Sequence, residues 1–213
     1  MYNLTFHGVG EPPRVLEPGE AHVWLSEQRF LAVLDAVGRR DDVRLSFDDS
    51  FRSDVDVALP ALLDRGLTAT FFVLAGRLDH PEHLGASDLQ KLNDSGMTVA
   101  SHGLHHRNWR NLDEGGLAEE LDQARNLLTE ATGKRVTQAS VPFGAYDRRV
   151  LSRLRAAGYD HVYTSDGGQA NARQWLQPRT SITVTDSVSA IAKQPASGEA
   201  MRIHLKRFVK RWR

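Results

Sequence analysis

The sequence predicts an α/β fold, a distorted (β/α) barrel of about seven parallel strands with a TIM-barrel-like layout. Three observations predict it. Seven short β-rich runs recur along the 213 residues, amphipathic helical patterns separate them, and the residues best suited to chemistry fall just after strand-like runs. Repeated strand–helix units call for parallel pairing with helical crossovers, and about seven of them can close a barrel. An open, doubly wound sheet is the alternative, but no GxGxxG or P-loop pattern gives such a sheet a nucleotide to bind.

The first run is Leu4–His7. Ser26 reads as an N-cap, and the helix it starts carries Phe30, Leu31, Leu34 and Val37 on one face. Val43–Phe47 follows, then a helix with Val57, Leu59, Leu62 and Leu63, stopped by Gly66 at a position suited to a left-handed glycine. The runs Ala69–Leu74 and Thr98–Ser101 come next. Leu117, Leu121, Ala124, Leu127 and Leu128 form a third helix ending near Gly133, ahead of the run Ala139–Val141. Val150, Leu151 and Leu154 mark a fourth helix ending at Gly158, before His161–Thr164 and Ser181–Val184. With no repeat and no low-complexity linker, residues 1–213 read as one catalytic domain.

Composition narrows the chemistry. The chain has no cysteine, so disulfides, thiolate metal sites and a cysteine nucleophile are excluded together, and any metal must sit on His, Asp or Glu. Lys plus Arg and Asp plus Glu both number 27, so bulk charge gives no case for nucleic acid. No apolar run reaches the roughly 18 residues that span a bilayer. The opening MYNLTFHG lacks the features of a secretory signal, and a cytoplasmic location is expected. From residue 201 onward there are six basic side chains and no acid, with Leu205, Phe208, Val209 and Trp212 at helical spacing. This basic amphipathic tail, 201–213, suits peripheral contact with an anionic membrane at its inner face, or packing on the barrel with the cations solvated.

Three segments carry the chemistry: LSFDDS (Leu45–Ser50), SHGLHH (Ser101–His106) and SVPFG (Ser140–Gly144), each at the C-terminal end of a strand-like run. Asp48 and Asp49 are adjacent carboxylates that would repel each other. A cation on one relieves the repulsion and leaves the other free as a base. His102 and His106 stand at i, i+4, and one helical turn would bring both imidazoles to one ion. Two His and one Asp leave coordination positions open, as a catalytic ion requires and a structural one does not.

These segments, in this order, resemble the polysaccharide deacetylases with a NodB-like domain (carbohydrate esterase family 4). The family's motifs TFDDG, H-[ST]-x-x-H and R-x-P-[YF]-G appear as SFDDS, HGLHH and SVPFG. The stretches ALPALLDRGLTATFFVLAG and AYDRRVLSRLRAAGYDHVYTSDGG look like family sequence as well, so the resemblance runs from about Leu4 to Arg179. It implies a metal-dependent hydrolase that removes N-acetyl or similar acyl groups from a sugar or glycan. Asp48 would be the general base and Asp49, His102 and His106 the ligands of one divalent ion, zinc foremost, with Co²⁺, Ni²⁺ or Fe²⁺ also compatible. Pro142, Phe143 and Gly144 would form a wall of the substrate groove.

The chain departs from the family pattern at three places. Ser50 replaces the usual glycine, so a positive φ there is either strained or not required. Ser140 stands where many members carry the arginine that orients the base; Arg179 could supply that charge from across the barrel. The acid histidine of a C-terminal LxH motif is missing, and the late His204 lies in the basic tail. His7, ending the first strand-like run among flexible glycines, is the better acid. Its position resembles the poly-N-acetylglucosamine deacetylase branch, where the acid precedes the first motif. Asp166 could orient it.

Plainer readings stand beside these. His7 could be a structural histidine. His22, His80, His83 and His161 read as loop or surface residues, and His105 as solvent-facing. Trp24, Trp109 and Trp175 could stack on sugars or pack in the core. A catalytically weakened binding module would explain Ser140, and a two-His-one-Asp site also suits non-haem iron oxygenases, although those favour antiparallel β folds.

Overall fold

The computed structural model describes residues 1–193; the basic tail with His204 lies outside the described residues. The strands are β1 (Tyr2–Phe6), β2 (Val43–Phe47), β3 (Ala69–Val73), β4 (Thr98–Ser101), β5 (Gln138–Ser140), β6 (His161–Thr164), β7 (Leu176–Pro178) and β8 (Thr180–Ser181). All neighbours pair in parallel, in the order β7-β6-β5-β4-β3-β2-β1-β8. The expected seven strands become eight because Leu176–Pro178, which lies in none of the expected runs, is a strand as well, and the last strand is Thr180–Ser181 rather than Ser181–Val184. Leu176–Pro178 pairs with β6 and Thr180–Ser181 with β1, with only Arg179 between them. One stretch of chain thus spans the seam of a nearly closed, TIM-barrel-like barrel.

The helices are α1 (Glu27–Val37), α2 (Leu59–Leu63), α3 (Ala86–Asp94), α4 (Glu114–Ala118), α5 (Ala124–Thr132), α6 (Arg148–Ala156) and α7 (Val188–Lys193). Ser26 caps α1 as expected, its hydroxyl accepting from the Arg29 N–H. π-helical turns precede α2 (Asp54–Ala58) and α5 (Glu119–Gln123). Such turns collect at functional sites because one extra residue re-aims a side chain.

Period-2 alternation sorts each strand into two faces. Leu4, Phe6, Leu45, Phe47 and Phe71 lie under the helices, with Phe30 of α1 edge-on to Phe6 at 5.1 Å and Phe47 stacked on Phe71 at 4.7 Å. Thr5, Ser46 and Ser140 belong to the other face and meet the Arg179 guanidinium inside the barrel. The interior near the seam is therefore polar. Register then sets the rim: Phe6 pairs with Phe47, and Val73 with Ser101, so His7, Asp48 and His102 emerge on one end of the barrel.

Candidate active site

Asp49 Oδ1 lies 3.4 Å from both His102 Nε2 and His106 Nε2, and Asp48 Oδ2 lies 3.8 Å from His102 Nε2. Asp49 Oδ1 is buried with no hydrogen-bond partner. A buried acceptor facing two imidazole nitrogens and bonded to neither fits a cation shared by all three. The other ring nitrogen of His102 is engaged, with Nδ1 3.1 Å from the Ser140 carbonyl and 2.8 Å from its hydroxyl. A proton on Nδ1 leaves the Nε2 lone pair facing Asp49, the usual state of a ligating histidine. Burial, then the His102 charge, pushes the His106 imidazole down to about 4, so it is neutral and able to ligate. Burial lowers His102 too, but Asp48 and Asp49 more than compensate and its net shift is upward. Burial raises the Asp49 carboxyl, yet the neighbouring imidazoles bring it below the ordinary carboxylate range.

The turn presenting Asp49 is left-handed at two successive residues, with φ of 73° at Asp49 and 54° at Ser50. The positive φ is therefore required, and serine meets it with compensating bonds. Its hydroxyl accepts from the Leu74 N–H at 3.3 Å and its carbonyl from the Leu84 N–H at 2.9 Å.

His102–His106 is not the helical turn that the i, i+4 spacing suggests. It is an irregular loop with φ of 87° at Gly103 and 57° at His106. Glu120, fully buried on the π-helical turn, shapes it by accepting from Leu104 N, His105 N, Arg107 Nε and Trp109 Nε1 at 2.7–3.2 Å. A Cβ on Gly103 would come within 2.5 Å of Glu120 Oε2, so the loop and the carboxylate require glycine there. Glu120 escaped the sequence reading although it interrupts the apolar stripe Leu117–Leu121–Ala124–Leu128, and a lone acid on that face was the available signal. Glu120→Ala would strand buried donors at about 1–3 kcal/mol each. A loss of about 3–5 kcal/mol is expected for removing a paired buried charge. Urea unfolding with a parallel Zn²⁺ titration checks this, and unchanged stability would show that the loop holds itself.

Arg179 answers the Ser140 departure. It is fully buried, so it cannot touch substrate as a groove residue would; its contacts are with Asp48 and Ser140 instead. Its Nη1 and Nη2 each donate at 2.7 Å to one oxygen of Asp48, a fork on a carboxylate. Nη2 also donates to Ser140 Oγ at 2.8 Å, and the guanidinium carbon lies 4.7 Å from the Phe72 ring centroid. The small side chain at 140 gives room for an arginine arriving from the seam. Burial raises the Asp48 carboxyl, but the Arg179 charge, with His102, leaves it below its usual range and ionised.

His7 stands on the same rim, close enough for its charge to lower both carboxyls, and its Nδ1 is buried with no partner. Asp166 does not bond that nitrogen. Its Oδ2 accepts from Tyr146 Oη at 2.6 Å and Thr164 Oγ1 at 2.9 Å. The glycine after His7 serves close packing rather than flexibility, since a Cβ on Gly8 would lie 2.2 Å from the Trp24 ring. Pro142 and Gly144 are buried while Phe143, at φ 58°, is 65% exposed with its ring 4.4 Å from that of His106. Trp109 is fully buried, Trp24 packs on Phe51, and Arg155 covers the Trp175 face, so these three belong to packing. Asp54, buried with neither oxygen bonded, is pushed well above the carboxylate range by burial and then by Asp49 and Asp48. Spacing gave no reason to suspect it. His83 lies in a loop, as one of its two readings had it, but is buried there.

Comparison with known proteins agrees with this geometry. The polysaccharide deacetylase profile matches residues 36–162. A chitooligosaccharide deacetylase of Rhizobium leguminosarum bv. trifolii is 28% identical over 176 residues, covering 81% of this chain and 75% of that protein. YxkH of Bacillus subtilis is 24% identical over 179 residues, and the chain spans less than two thirds of it, 62% of its length against 84% of its own. The deacetylase PplD of Streptococcus pyogenes, solved in complex with acetate, superposes with a TM-score of 0.79 at 18% identity, covering 92% of this chain and 98% of PplD. The matched profile spans more than half of the sequence and includes both aspartates and both histidines of the rim; the chain belongs to the polysaccharide deacetylase family.

Proposed function

We propose that this chain hydrolyses N-acetyl groups on the amino-sugar residues of a glycan, with one divalent ion held by Asp49, His102 and His106. The observation that carries the reading is the unpartnered Asp49 Oδ1 between two imidazoles, beside a carboxylate kept ionised by a buried arginine. Two nitrogens and one carboxylate suit zinc, with cobalt, nickel or iron(II) as chemically acceptable substitutes. When bound, such an ion supplies Lewis acidity to the acyl carbonyl and to water.

The residues divide the remaining work. Asp48 takes a proton from the attacking water as oxygen bonds to the acyl carbon. In this reading a backbone N–H of the turn at Phe143 donates to the developing oxyanion. As the C–N bond breaks, His7 gives a proton to the departing amine, and acetate and the free amino sugar result. Arg179 fills the gap at Ser140 that had favoured a silent binding module. Acetate release from N-acetylated mono-, oligo- and polysaccharides, with Zn²⁺ or Co²⁺ supplied, tests the proposal. No release from any of them with either ion would refute it.

The acid has its own signature. His7→Ala is expected to keep the ion and lose roughly 10²–10⁴-fold in kcat on N-acetyl substrates, where the amine must be protonated. An activated ester, whose leaving group needs no proton, should lose far less. Equal losses on both substrates, or the same selectivity in His204→Ala, would place the acid elsewhere.

A further inference from the structure

Among the described residues a second set of side chains is placed to hold an ion. The donor atoms of His80, Glu82 and His83 lie within 4.8 Å of one another. They belong to the tight turn His80-Pro81-Glu82-His83, closed by the His83 N–H donating to the His80 carbonyl at 2.9 Å. Proline at the second position fixes φ there and organises the turn in advance. The two imidazoles stand with ring centroids 5.7 Å apart. His80 is exposed, so solvent ions reach the group, whereas His83 is 4% exposed and stacked on Phe51 at 5.2 Å.

The hydrogen bonding of the buried ring is compatible with ligation through Nε2. His83 Nδ1 lies 3.0 Å from the Asp49 carbonyl oxygen, and a proton donated there leaves the lone pair on Nε2. Ligating histidines regularly give their other N–H to a carbonyl in this way, and His102 does the same toward Ser140. Two neighbouring cations must be accommodated. Arg77 Nη1 is 3.4 Å from His83 Nε2, at the limit of a hydrogen bond, and this long, part-buried contact must open for Nε2 to take an ion. Arg14 Nε reaches Glu82 Oε2 at 3.0 Å in a partly exposed ion pair. If that contact is given up, Arg14 keeps both oxygens of Glu20 at 2.8 Å.

We propose that His80, Glu82 and His83 form a second divalent-cation site, for a transition ion of the zinc type, separate from the ion of the active site. Two imidazoles and a single carboxylate favour zinc over calcium or magnesium, which prefer all-oxygen shells. The site also reaches the chemistry. An ion on His83 fixes the ring whose Nδ1 holds the left-handed Asp49, while the Leu84 N–H on the same loop holds the Ser50 carbonyl.

Zn²⁺ titration of the metal-free full chain, with bound ion counted after ultrafiltration, tests this. The wild type should take up about two ions per chain. His80→Ala and Glu82→Gln, at accessible positions that leave the fold intact, should weaken one uptake at least tenfold and retain the other. His102→Ala should lose the complementary one, and His22→Ala should lose neither. Saturation of the wild type at about one ion, or a second ion that persists in both His80→Ala and Glu82→Gln, overturns the proposal. The count is of metal, so it stands or falls independently of whether acetate is released.

Discussion

Asp48→Asn is expected to lower kcat by roughly 10²–10⁴-fold while leaving the active-site ion bound. The amide preserves the shape of the side chain but cannot take a proton at neutral pH. The ion should stay because its proposed ligand oxygen belongs to Asp49, whose Oδ1 lies 3.4 Å from both imidazoles. His102→Ala and Asp49→Ala should instead lose ion and activity together, so metal content separates base from ligand. The ligands also give a pH dependence with a defined sign. Burial lowers His102, but Asp48 and Asp49 shift it upward overall, so protons compete for it at higher pH than for a free imidazole. Ion affinity should therefore fall as pH drops through that raised value, with protons released on binding. An Asp48→Asn protein close to wild type in kcat would show that Asp48 is structural.

Arg179→Met should act on both stability and rate. It removes one partner of a fully buried pair, for which a loss of about 3–5 kcal/mol is expected. It also reverses the protonation logic of the base. Burial alone raises the Asp48 carboxyl, and the Arg179 charge is the first of the influences that bring it down. Without the arginine the acid limb of the pH–rate profile should move to higher pH. In the wild type this depressed carboxyl contributes stability above its unfolded pKa, and the contribution is lost as pH falls through the folded value. Arg179→Lys should recover part of the shift through its charge but not the two-pronged geometry. Pairing Arg179→Met with Asp48→Asn should restore stability without activity, because no unpaired charge is then buried. An unmoved acid limb in Arg179→Met would sever the link between arginine and base.

The local elements were legible because they rest on short-range physics. Ser26 caps a helix whose apolar spacing is visible, and Val43–Phe47 alternates as a half-polar strand must. Gly133 and Gly158 stop helices in left-handed conformations that glycine adopts without penalty. The aspartates and histidines of the site were legible too, since each follows a strand and parallel strands bring their ends to one rim. The strand Leu176–Pro178 was missed because three residues give no periodicity to read, and its two-sided pairing exists only once the barrel closes.

By itself, then, the sequence determined the strand–helix alternation, the two aspartates and two histidines of the rim, and a family of chemistry. Only the tertiary structure decided what holds them. Arg179 reaches Asp48 across 131 positions of sequence because the seam of the barrel places β8 against β1. Glu120, buried on the π-helical turn, holds a loop as far as 16 residues away in sequence, and His83 packs against Phe51 with its ring on the Asp49 carbonyl. Helical and strand periods are set by neighbours a few bonds apart and can be read in order. A buried charge finds its partner by closure of the whole barrel, which no window of sequence contains.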